Sequence, residues 1–139
     1  MIMTIAVCGS LTFYKEIREA QKKLEALGHR ALVPKSIRLI EEEGYIKPKT
    51  VSERLAAEAK YHFISEHFAK VEQSDAILVV NPENHGIPGY IGGNTFLEIG
   101  VAFYLKKKIY FLYVIPHMAY ELELASMYPT VLDGDLSAI

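Results

Sequence analysis

Glu98 is the residue whose surroundings first ask for a chemical explanation. It lies in Phe96 to Leu105, a run in which every other residue is apolar or glycine. A carboxylate taken out of water without a partner costs so much that chains avoid it unless the group is paired, protonated or used. Two readings are open. Glu98 either accepts hydrogen bonds from a loop or a neighbouring tyrosine and holds the fold, or it faces a ligand cavity as nucleophile or base. Just before it, Gly89, Gly92 and Gly93 let the backbone turn sharply and approach a ligand closely. Asn94 is expected to cap a helix that neighbouring elements cover on most sides. Other reactive groups are sparse. His62 and His67 stand five apart, the wrong spacing for two ligands on one helical face, and no further cysteine or histidine cluster predicts a metal or a cofactor. His85 reads as incidental.

The elements that must position these groups alternate in type. Thr4 to Cys8 reads as a buried strand closed by Gly9-Ser10, and Phe13, Ile17, Ala20, Leu24 and Leu27 then trace a helix that Gly28 stops. Arg30 to Pro34 forms a second strand. Lys35 to Thr50 shows no clear period and is expected to be a loop, either a lid or a plain surface insertion. Leu55, Ala59, Phe63, Phe68 and Val71 mark one long helix from Val51 to Ser74. Ala76 to Val80 is the third strand, and a loop from Asn81 to Gly93 leads into the Glu98 helix. Lys108 to Tyr113 is the fourth strand, followed by a helix over Ala119 to Met127 and a short extended piece from Thr130 to Leu132.

Strands joined by crossover helices pair in parallel with right-handed connections. The expected product is an α/β three-layer sandwich: a flavodoxin-like, five-stranded parallel sheet of order 2-1-3-4-5, in one domain over residues 1 to 139. Such sheets bind ligands at the carboxyl ends of the strands, where the strand order reverses, here between strands one and three. That rule gathers Cys8, Gly9 and Ser10, the glycine loop and the turn from Tyr113 to Pro116 around one crevice with Glu98 at its floor. Tyr14, Asn81, Gly89 and Thr95 fall on the same rim. Backbone amides of Gly92, Gly93 and Asn94 suit a phosphate or sugar hydroxyls.

The 139 residues suffice for one core, with 50% hydrophobic and 23% charged residues as in ordinary soluble domains. A net charge of −2 gives no nucleic-acid surface, and Lys106 to Lys108 more simply close a helix C-terminus. One cysteine excludes an intrachain disulfide and suits a reducing compartment. With no apolar run long enough for a membrane and no leader pattern at Met1 to Thr4, a cytoplasmic location is expected. No Gly-x-Gly-x-x-Gly follows the first strand, and neither a phosphate loop ending in Gly-Lys-Ser/Thr nor a serine-hydrolase elbow occurs.

Cys8-Gly9-Ser10-Leu11, Ser74-Asp75-Ala76-Ile77 and Thr95-Phe96-Leu97-Glu98-Ile99-Gly100 together resemble the nucleoside 2-deoxyribosyltransferase superfamily, which includes the 2′-deoxynucleoside 5′-phosphate N-hydrolases. The resemblance covers most of the chain in order. It implies a nucleophilic Glu98 that attacks the sugar C1′, departure of the nucleobase, and resolution of the glycosyl ester by water or a second base. It also implies a homodimer or higher oligomer with sites completed by a neighbour. The aromatic-rich segment from Met118 to Pro129 could pack on such a twin. Two positions depart from the family pattern. His67 stands where an aspartate usually helps protonate the leaving base, and Gly92 stands where transferases carry an aspartate six positions before the nucleophile. A histidine can donate that proton, and loss of the second aspartate favours a phosphate-bearing or unusual substrate. The competing expectations are a non-catalytic nucleotide or nucleotide-sugar sensor and a structural subunit of the same fold.

Overall fold

The computed structural model describes residues 1–139. Five strands, β1 (Thr4–Cys8), β2 (Arg30–Leu32), β3 (Ala76–Val79), β4 (Lys108–Phe111) and β5 (Thr130–Val131), form one all-parallel sheet of order β2-β1-β3-β4-β5. This is the expected flavodoxin-like topology. Because side chains alternate across a strand, β1 divides its residues between two cores. Ile5 and Val7 pack on one face with Ile17, Ala20 and Leu24, and Ala6 and Cys8 pack on the other with Val71, Ile77, Ile99 and Phe111. Helix α1 (Tyr14–Ala26) covers the first face. Helices α4 (Phe63–Gln73), α5 (Gly93–Tyr104) and α6 (Glu121–Ser126) cover the second, so Cys8 faces the layer that holds Glu98.

Four expectations about elements need correction. Lys35 to Thr50 is not all loop: α2 (Lys35–Glu43) buries Ile37 and Leu39 and ends at Gly44, whose left-handed φ of 68° lets the chain turn. The three glutamates hid it, and one of them, Glu41, pairs with Arg18 at 2.6 Å. The long helix from Val51 is two, α3 (Val51–Tyr61) and α4, separated by His62 at φ 54° and ψ 46°. The Glu58 carboxylate accepts from the Ile64 amide at 3.2 Å, satisfying a donor freed by the break. Leu55, counted in the apolar stripe, is 66% exposed. Asn94 is no cap, because α5 begins at Gly93 with Gly92 before it and no side chain capping the end. Nor is α5 covered on most sides: Leu97, Phe103 and Tyr104 are exposed, and the last two line a shallow groove with Tyr110, Met127 and Tyr128. No helix is long and apolar enough to cross a membrane.

Candidate active site

Three elements bring one side chain each to the carboxyl end of β1. Cys8 is the last residue of that strand and is fully buried. His67 lies on the inward stripe of α4, one turn before Val71, and is 3% exposed. Glu98 belongs to the buried stripe of α5 with Thr95, Ile99 and Ala102, and is 9% exposed. Their sulfur, nitrogen and carboxylate oxygen all lie within 4.8 Å of one another, with His67 Nε2 at 3.6 Å from Cys8 Sγ. Helical spacing within α4 gave no such cluster, because the convergence depends on how α4 and α5 dock against β1.

Burial dominates the electrostatics of this trio. It raises the Glu98 carboxyl from 4.5 to about 8, opposed only by the Cys8 thiol, which favours the carboxylate. The Cys8 thiol is pushed well above its usual range by burial and then by the neighbouring Glu98. His67 is lowered from 6.5 to about 4, first by burial and then by Lys70, while the Val7 carbonyl and Glu66 pull the other way. At neutral pH the site therefore holds a protonated acid beside a neutral imidazole whose Nδ1 has no hydrogen-bond partner. This bears on the expectation that His67 supplies an acid: at rest the proton sits on Glu98. No tyrosine or loop amide bonds to Glu98, whose hydrogen-bonding neighbour is the Cys8 thiol.

Above the trio opens a cavity of about 260 Å³. Its wall contains eight of the expected positions: Gly9, Ser10, His67, Gly92, Gly93, Asn94, Thr95 and Glu98. A side chain at Gly9 would place its Cβ 2.9 Å from the Val80 carbonyl, so only glycine lets the chain leave β1 along this path. The Ser10 hydroxyl accepts from the Thr12 amide at 3.3 Å and caps a single helical turn, Leu11–Phe13.

Four expected positions lie off the wall. Cys8 sits behind Glu98 and His67. Tyr14 opens α1 and packs against the core of the opposite face. Asn81 is spent on main chain: its amide donates to the carbonyls of Gly89, Tyr113 and Val114, and its Oδ1 accepts from the Tyr113 amide at 2.9 Å. Gly89 has φ +74°, and a Cβ there would meet the Val114 carbonyl at 2.1 Å. Asn81 and Gly89 thus tie the loop after β3 to the turn after β4, and that turn, Tyr113 to Pro116, braces the crevice from outside.

Other wall residues went unread in the sequence. Lys35 and Tyr45, together with Lys47, come from the α2 region, Arg54 and Glu58 from α3, and Phe63 from α4. Tyr45 meets Tyr61 and Phe63 edge-on at 5.8 and 5.6 Å, and Tyr61 stacks on Phe63 at 5.2 Å. His85 also lines the cavity and meets Tyr90 edge-on at 5.1 Å. The usable signal was one aromatic, Tyr45, within the candidate lid and two, Tyr61 and Phe63, after it.

No family model and no curated protein matches the sequence. Among solved structures, a 2-deoxyribosyltransferase from the psychrotolerant bacterium Bacillus psychrosaccharolyticus superposes with a TM-score of 0.60 at 14% identity, covering 97% of this chain and 94% of that one. The chain shares the fold of that enzyme. Within that fold its cavity lies where strand order reverses between β1 and β3, the position open parallel sheets use for ligands.

Proposed function

We propose that the protein cleaves the N-glycosidic bond of a (deoxy)nucleoside or nucleoside 5′-monophosphate through a covalent bond between the sugar and Glu98. The observation that carries this reading is a carboxyl group 9% exposed, on the cavity wall, with a neutral imidazole on the neighbouring helix. Glu98 passes its proton to His67, and the carboxylate oxygen attacks C1′ as the C1′–N bond breaks. The protonated His67 then gives that proton to the departing base. Water attacks C1′ of the ester and loses a proton to His67, which returns it to Glu98. An acceptor base in place of water gives transfer; hydrolysis is the favoured outcome.

Charge at the cavity mouth supports an anionic substrate. Lys47 and Arg54 line it without an ion pair, whereas Lys35 is paired with Glu66 at 3.4 Å. The uncapped start of α5 adds unpaired amides at Gly93 and Asn94. The test is incubation with a panel of deoxynucleosides and their 5′-monophosphates while free base is followed by chromatography. Base release that Glu98→Gln lowers by several orders of magnitude supports the proposal, and release unchanged in that variant removes the nucleophile. The resting proton on Glu98 favours one rival, a binding module in which the neutral acid donates a hydrogen bond to a sugar oxygen. Retention of a nucleotide through purification with no base released from any substrate would select it.

The expected self-association belongs to the same proposal. The exposed Phe103, Tyr104 and Tyr128 offer an aromatic surface for a second copy, and light scattering at working concentration checks it.

A further inference from the structure

The convergence of Cys8, His67 and Glu98 has the chemistry of a second kind of site. One sulfur, one nitrogen and one carboxylate oxygen come from β1, α4 and α5 and lie within 4.8 Å of one another. A tetrahedral zinc ion, with Zn–S of about 2.3 Å and Zn–N of about 2.0 Å, sets its sulfur and nitrogen ligands about 3.5 Å apart. Cys8 Sγ and His67 Nε2 already stand at 3.6 Å. The carboxylate closes the remaining gap by moving no more than about 1.5 Å to reach the ligand spacing of such an ion, a shift that rotation about the outer bonds of the Glu98 side chain supplies. Outside the trio the imidazole has the Val7 carbonyl as a neighbour. The thiol's hydrogen bond outside the trio is a weak one to the Ala6 carbonyl at 3.9 Å, and Glu98 enters no ion pair.

The position of the cavity decides what kind of metal site this is. His67 and Glu98 lie on its wall and Cys8 behind them, so a fourth ligand would enter from the cavity side. Three protein ligands with one open position is the arrangement in which zinc keeps a water or a substrate atom. The sulfur and imidazole donors select zinc or a similar borderline cation over magnesium and calcium, which prefer oxygen alone.

We propose that Cys8, His67 and Glu98 form a zinc-binding site open to the cavity. An ion bound there takes Glu98 as a ligand and withdraws it from attack on C1′; this consequence, unlike the binding itself, rests on the function proposed above. Zinc is then a reversible inhibitor of base release.

Titration of the chelator-treated full-length protein with Co²⁺, followed by absorption, tests the binding. One equivalent should produce the thiolate-to-cobalt charge-transfer band and the visible bands of tetrahedral cobalt, and Zn²⁺ should displace both. Cys8→Ala should lose the charge-transfer band. Glu98→Gln should keep it while weakening cobalt binding by about 100-fold, the upper end of what losing even an outer partner of a metal ligand costs. It therefore serves as the test if Cys8→Ala fails to fold. His117→Ala, which removes the exposed pair with Glu121, should change nothing. Cobalt bound without the sulfur band, or with spectra unaltered by either site variant, overturns the proposal. The activity arm is separate: if Glu98-dependent base release proceeds undiminished with an equivalent of zinc bound, the inhibitory role fails while the site stands. If no substrate turns over, the cobalt spectrum still decides the site.

Discussion

The Glu98 carboxyl must lose its proton before it can attack C1′, and burial holds that proton up to about pH 8. The pH dependence follows directly. Under the proposed mechanism the Glu98–His67 pair must carry the one proton that goes to the leaving base, so kcat/KM is level between about pH 4 and 8 and falls above about 8, where that proton is lost, and a rate that rises to a plateau above pH 8 would contradict it. Stability changes across the same range. Between about 4.5 and 8 the folded protein keeps a proton that the unfolded chain has lost, so Glu98 makes the fold less stable as pH rises across that window. Glu98→Gln, which carries neither charge nor proton, should therefore gain melting temperature over the parent, with a gap that widens from pH 5 to pH 8. His67 acts with the opposite sign. Its folded value of about 4 lies below its ordinary 6.5, so stability is lost as pH falls from 6.5 toward 4. Glu98 was legible in the sequence because a lone acid among apolar residues stands out. Cys8 came to the crevice through the strand-order rule and His67 through the family resemblance, but their contact with each other was not legible, since it spans 59 positions of sequence and exists only once α4 packs on β1.

At the scale of elements, the break between α3 and α4 shapes the cavity. His62 holds a left-handed backbone that side chains other than glycine's adopt at a cost. His62→Gly should therefore stabilise the protein by about 1 kcal/mol, and a β-branched His62→Val should destabilise it by at least as much; urea midpoints measure both. A continuous helix over the junction would predict the reverse order. The apolar stripe from Leu55 to Val71 ran across this break without marking it, because periodicity reports which side chains could share a face and not a single reversed φ. The cations that α2, α3 and their connection deliver to the cavity make a separate prediction. Lys47→Ala with Arg54→Ala should raise KM for a nucleoside 5′-monophosphate by about a hundredfold or more while leaving KM for the unphosphorylated nucleoside within about twofold, as expected for two charge-assisted contacts worth about 1.5 kcal/mol or more each. Equal losses for both substrates would place the phosphate elsewhere.

For the molecule as a whole, the strand order was legible because the strands fall in short, mostly apolar runs separated by recognisable crossover helices, and handedness leaves few ways to connect them. What the topology could not supply was the wall contributed by Lys35 to Phe63: Lys35 to Thr50, charged and irregularly spaced, resembles a surface insertion, and the helix that follows reads as continuous until the fold lays both across the crevice. The sheet draws strands from Thr4 to Val131, and one domain over that span should unfold in a single transition with coincident fluorescence and circular-dichroism midpoints. The most direct test of the account is intact-protein mass spectrometry of samples acid-quenched during turnover of the best substrate. The account predicts an added mass equal to the sugar or sugar phosphate, located on the peptide containing Glu98 and absent from Glu98→Gln. Base release with no adduct on Glu98, and at the same rate in Glu98→Gln, would contradict it.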